Sequence, residues 1–107
     1  MKHEREERYN SYAKVVLTSQ NNLGYLRDLN TKGCQVDFID PPTIDKDKSA
    51  ELQIIPNEEF GIPNFSFFLD VKWMRQEQIY YSVGGTVAMI PEEHKPAFEN
   101  LLTYFKK

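Results

Sequence analysis

The chain is poor in cysteine. Cys34 is its one thiol in 107 residues, which excludes a disulfide framework and a cysteine-based metal centre. Long apolar runs are missing too. No stretch approaches the roughly 18 residues of a membrane span, and the opening MKHEREER lacks the apolar segment of a secretory signal. There is no excess of positive charge. The formal net charge is -3, whereas non-specific binding to duplex nucleic acid calls for a basic surface. Neither internal repeats nor low-complexity tracts occur. These absences point to a reducing, soluble, cytoplasmic setting. What is present, 40% hydrophobic and 13% aromatic residues with charge dispersed along the chain, is the composition of one globular domain with one core.

The pattern along the chain divides it. Residues 1–10 are charged and lack a periodic apolar face, with Lys2, Arg5 and Arg8 interleaved with Glu4, Glu6 and Glu7. They read as an exposed arm. From residue 11 onward come short β-type runs separated by turn formers: YAKVVLT, GYLRDL, CQVDFID, AELQIIP, FSFFLDVKWMRQ and QIYYSVGGTVAMI. About six strands at this spacing predict a small antiparallel barrel or sandwich. The end of the chain differs. In PEEHKPAFENLLTYFKK, Phe98, Leu101, Leu102 and Phe105 recur at helical spacing, which predicts a helix over 92–105 whose apolar face covers the barrel.

The hexapeptide DLNTKG, Asp28 to Gly33, contains the residues that favour turns. Asp and Asn side chains bond nearby amides, and Gly tolerates positive φ. A plain hairpin accounts for it when it is taken alone. Its neighbours add more. An arginine-bearing arm, a β-run, Asp-x-Asn-x-x-Gly, a Gly-Gly strand and a terminal amphipathic helix together resemble the PilZ domain family over nearly the whole chain. That family carries an RxxxR pair in an N-terminal loop and a [D/N]xSxxG run. Asp28 and Gly33 match the latter, and Asn30 stands where the family usually has Ser. Arg8 matches the second arginine, whereas Glu4 stands four residues before it and the other arginine is Arg5, giving RxxR.

The resemblance implies an all-β fold, a six-stranded antiparallel barrel with a C-terminal helix, and a receptor for cyclic di-GMP rather than an enzyme. The implied ligand-binding residues are Arg5, Arg8, Asp28, Asn30 and Gly33. It also implies an arm that orders over the barrel on binding and signals to a downstream protein, with no nucleic-acid or membrane partner and no cofactor beyond the ligand. The chemistry suits the residue types. A guanidinium fork matches a phosphate or the N7/O6 edge of guanine and stacks on a purine. A carboxylate accepts from N1-H and N2-H, an amide donates or accepts, and a glycine lets the backbone approach a ring. Residues three apart on an extended chain project to different sides, so Arg5 and Arg8 converge only if the arm turns. The arm's glutamates predict a slower association than a purely basic arm would give. The alternative is an interaction module on the same fold that does not bind the nucleotide.

The remaining residues receive plainer expectations. Arg27 is assigned to the strand face opposite Asp28, in an exposed pair or on the barrel surface, and Lys32 to a solvated turn. Gly84 and Gly85 mark a bulge or a close backbone approach, the bulge being the first choice, and Cys34 is assigned to the core. His3 and His94 have no metal-ligand spacing. The rings of Phe65, Phe67, Phe68, Trp73, Tyr80 and Tyr81, with Lys72 and Arg75 nearby, are those of a single-strand nucleic-acid platform. An acidic chain this short needs a core, which assigns them to the interior. No nucleophile, base and orienting group can be assembled.

Overall fold

In the run AKVVL, Ala13, Val15 and Leu17 are buried while Lys14 and Val16 face out, and this period of two is what a half-buried strand requires. It recurs throughout the computed structural model, which describes residues 11–106. The strands are β1 (Ala13–Leu17), β2 (Asn22–Leu29), β3 (Gly33–Phe38), β4 (Ser49–Pro56), β5 (Phe65–Gln76) and β6 (Tyr81–Met89). All pair antiparallel in the order β1-β2-β3-β6-β5-β4, and β1 pairs with β4 to close the barrel. The expected six-stranded antiparallel barrel with a C-terminal helix is the observed fold. Arg5 and Arg8 lie outside the described residues.

The barrel interior is filled by Val15, Leu17, Leu26, Leu29, Val36, Phe38, Leu52, Ile54, Phe65, Phe67, Leu69, Val71 and Val83, all essentially inaccessible. The turns follow local chemistry. Asn21 takes a left-handed φ of 53° between β1 and β2, a conformation asparagine tolerates. A short 3-10 turn, Glu58–Phe60, ends at Gly61 with φ 66°.

The helix α1 spans Lys95–Phe105, and the residues expected to begin it, Glu92–His94, form a 3-10 turn instead. Pro96 is the reason. It has no N-H to reach back a full α-turn, so the tighter bonds from His94 N-H to the Pro91 carbonyl and from Lys95 N-H to the Glu92 carbonyl close the entry. Ala97, Phe98, Leu101 and Leu102 are buried, and Phe105 is half-buried against the core. Phe98 meets Phe65 and Phe67 edge-on, with centroids 6.2 and 5.7 Å away. The helix therefore covers the barrel end at which β5 starts. A satellite cluster joins it there: Phe60 stacks on Tyr104 at 4.1 Å, and Tyr12 meets Phe105 edge-on at 5.0 Å. His94 Nδ1 accepts the Ser66 N-H at 2.9 Å, tying the helix entry to β5.

Removing the Phe98 ring opens the covered end of the barrel. Phe98→Ala is expected to cost about 3–5 kcal/mol, read as a lower denaturant midpoint at unchanged m-value.

Candidate ligand-binding site

The hairpin joining β2 and β3 is held on two sides. Asn30 Oδ1 accepts the N-H groups of Lys32 and Gly33, each at 2.9 Å, and Asn30 N-H donates to the Gly33 carbonyl at 3.0 Å. On the other side the Lys32 carbonyl accepts the Val87 N-H at 3.0 Å, which docks the turn on β6. Asn30 is thus a structural residue first. Its carboxamide oxygen is spent on the turn, and its amide NH2 is the part left to reach outward. Gly33 has a structural reason as well, because a Cβ there would lie 2.8 Å from the Gly85 carbonyl oxygen. The close approach is between β3 and β6. Lys32 is exposed, as expected.

Arg27 departs from expectation. The β2–β3 register runs Leu26↔Val36 and then Asp28↔Gln35, so Arg27 is the extra residue of a β-bulge. Leu26 and Leu29, three apart, both face the core, and Arg27 and Asp28 are both exposed. Simple alternation would have put them on opposite faces. Arg27 Nη1 donates to Asp37 Oδ2 at 2.6 Å, and the Ser82 hydroxyl donates to Asp37 Oδ1 at 2.6 Å. Asp37 is wholly buried while Arg27 is half exposed. A buried carboxylate is tolerable with both oxygens satisfied by such donors. The group lies on the outer wall, where Tyr25, Asp37, Ser82 and Arg75 are neighbours in register across β2, β3, β6 and β5.

The next row toward the signature turn is Asp28, Gln35, Gly84 and Trp73, again one residue from each of the four strands. Its ends are about 14 Å apart at ordinary strand spacing. Trp73 reaches this row because β5 is itself bulged: Val71 pairs with Gly85 and Trp73 with Gly84, leaving Lys72 extra. Val71 faces the core, and period two would send Trp73 after it. The bulge turns the indole outward instead, which corrects the interior assignment of this ring. Phe68, Tyr80 and Tyr81 are also only half-buried, whereas Phe65 and Phe67 are core. The glycines are not the bulge but its counterpart. A Cβ on Gly84 would strike the Trp73 ring at 2.2 Å, and one on Gly85 would lie 2.0 Å from the Asp70 carbonyl oxygen. The indole therefore lies across a bare glycine, and the Arg75 guanidinium sits 4.6 Å from its centroid. Arg75 Nε donates to the Glu77 carboxylate at 2.9 Å.

The structure thus brings Asp28 and the Asn30–Gly33 turn to one outer face, and adds Gln35, Trp73 and Arg75 to it. Sequence reading missed Gln35, Asp37 and Ser82. The alternation of Gln35 and Asp37 with Cys34 and Val36 was the signal for an outward face. Cys34 is buried, as expected, and burial followed by the charge of Asp28 pushes its thiol well up. Among the described residues no cluster of three or more His, Cys, Asp or Glu is arranged to hold a metal ion, and no helix is long and apolar enough to cross a membrane. A surface groove of about 340 Å³ between the β1–β2 turn and the start of β4, lined by Thr18, Thr43, Lys48 and Glu51 among others, contains none of the expected site residues. Comparisons with protein-family models, curated proteins and solved structures find no match to this chain.

Two outcomes follow. Asp37→Ala removes the acceptor of the buried Ser82 hydroxyl and is expected to cost roughly 1–3 kcal/mol, checked by urea unfolding. Cys34 is expected to resist iodoacetamide in the folded protein and to react once the chain is unfolded, because the thiolate is the reactive form, as mass spectrometry would read.

Proposed function

We propose that this protein is a receptor for cyclic di-GMP, binding it on the outer wall of β2, β3, β6 and β5 with Arg5 and Arg8 from the leading segment. One observation carries the reading. The Ser11 hydroxyl donates to the Leu26 carbonyl at 2.6 Å, so the chain enters the barrel two residues along β2 from Asp28. Arg8 is three residues before Ser11, a reach of at most about 11 Å. A guanidinium on that tether and the Asp28 carboxylate can therefore serve one ligand. Asp28 offers its acceptor to a guanine N1-H and N2-H edge, the Asn30 amide is a donor, and the Arg75 guanidinium, lying over the Trp73 indole, offers donors to a phosphate or to the guanine N7/O6 edge. Binding confined to the native state orders the leading segment, and the ordered surface is then read by a downstream protein.

A second reading, an interaction module that does not bind the nucleotide, is favoured by the commitment of the Asn30 carbonyl oxygen to the turn and by the RxxR spacing.

Thermal shift and isothermal titration with cyclic di-GMP separate the two. The native chain is expected to melt higher with ligand. Arg8→Ala and Asp28→Ala are each expected to lose about tenfold or more in affinity, about 1.4 kcal/mol, while melting as before without ligand. Absence of heat and of a melting shift at saturating ligand would overturn the receptor reading in favour of the interaction module.

A further inference from the structure

Among the described residues, the barrel leaves one backbone edge open. Pairing of β4 with β5 ends at Ser49↔Asp70, and the last bonds between the two segments join Val71 to Lys48 and Asp47. Asp47 then takes a left-handed φ of 69° and the chain turns away. Strand β5 continues to Gln76, paired with β6 on one side. Among the described residues no backbone group bonds to the other side of Lys72–Gln76.

The direction of the groups on that edge follows from the hairpin. Glu77 N-H donates to the Tyr80 carbonyl, so Glu77, and by alternation Arg75 and Trp73, point their backbone groups toward β6. Met74 and Gln76 point theirs to the open edge. Met74 is 44% exposed and Ile79, at the tip of the hairpin, 55%. Beside them is a mostly apolar cleft of about 160 Å³ lined by Met74, Arg75, Gln76, Tyr81, Ser82 and Val83. An open edge flanked by exposed apolar side chains is a template for strand addition.

We propose that this edge pairs with the same edge of a second copy, antiparallel about a two-fold axis at Met74, making one four-stranded sheet β6-β5-β5-β6 across two barrels. The register is selected by the side chains. With Met74 opposite Met74 of the second copy, the two residues exchange both of their outward backbone bonds. Gln76 then falls opposite Lys72. Trp73 falls opposite Arg75 of the second copy in a close, non-hydrogen-bonded pair on the outer wall, so the Trp73–Arg75 pair already formed within each chain meets its copy with indole and guanidinium alternating. Sliding by one pair sets Arg75 against Arg75, and like charges directly opposite are unfavourable. The two Met74 side chains meet on the inner face beside the clefts. The contact is isologous and closes on itself, which excludes growth into a fibre.

Sedimentation equilibrium of the full chain up to about 1 mM tests this, with a mass twice the 12.6 kDa of the chain expected. Met74→Pro removes the edge-facing N-H and leaves the β6 ladder intact. It is expected to weaken association about tenfold or more with the circular dichroism unchanged. Met74→Cys is expected to cross-link to itself on oxidation, since directly paired Cα atoms about 5.5 Å apart fall within disulfide reach. Leu23→Cys, equally exposed but on β2, is expected to stay monomeric, and native Cys34 is buried and does not compete. A native chain that remains monomeric, or a Met74→Cys variant that cross-links no faster than Leu23→Cys, would overturn the proposal. The cross-linking comparison decides the matter even if the proline variant fails to fold.

Discussion

The organisation of this barrel depends on a crowding of three backbones. Where β3, β6 and β5 run side by side, a Cβ on Gly33 would meet the Gly85 carbonyl and a Cβ on Gly85 would meet the Asp70 carbonyl. Strands at this separation pack only if one of them has no side chain, which is the use glycine has within a strand. Just past that point β5 takes in Lys72 as an extra residue. The bend and added twist of a bulge reverse which side chains face the core. The crowded contact and the bulge beside it are one device, and its result is an indole laid across Gly84 on the outer wall.

A second bulge, at Arg27, does the same on β2. Together they convert a wall that would alternate regularly into one where Arg27, Asp28, Gln35, Trp73 and Arg75 share a side. The buried Asp37 carboxylate is held by Ser82 and by Arg27, the extra residue of the first bulge. Releasing either partner would leave a desolvated charge poorly compensated. Regular strands would have had no such face. Trp73 and Arg75 also border the open edge of β5, so the proposed nucleotide face and the proposed pairing edge use the same two side chains. A ligand held at Arg75 and a neighbouring copy at that edge are therefore energetically linked.

Much of the architecture was legible because it rests on local periodicity. Ala13, Val15 and Leu17, or Leu52, Ile54 and Pro56, alternate as any half-buried strand must, and Phe98, Leu101 and Leu102 recur at the helical period. The DLNTKG turn was legible for the same reason, since Asn30 bonds amides only two and three residues away. The helix start was misplaced by one turn, because the missing N-H of Pro96 acts three and four residues upstream.

Residue order alone thus determined the number of strands, the terminal helix with its apolar face and the presence of a turn at Asp28–Gly33. Those features follow from hydrophobic period and from bonds between near neighbours. Only the folded chain decided that Trp73 faces out, that Asp37 is buried beneath Arg27, that Gly33 and Gly85 serve backbone contact and that β5 outruns β4. Each depends on the register between strands distant in sequence, and register is set where whole faces meet rather than by any short run of residues.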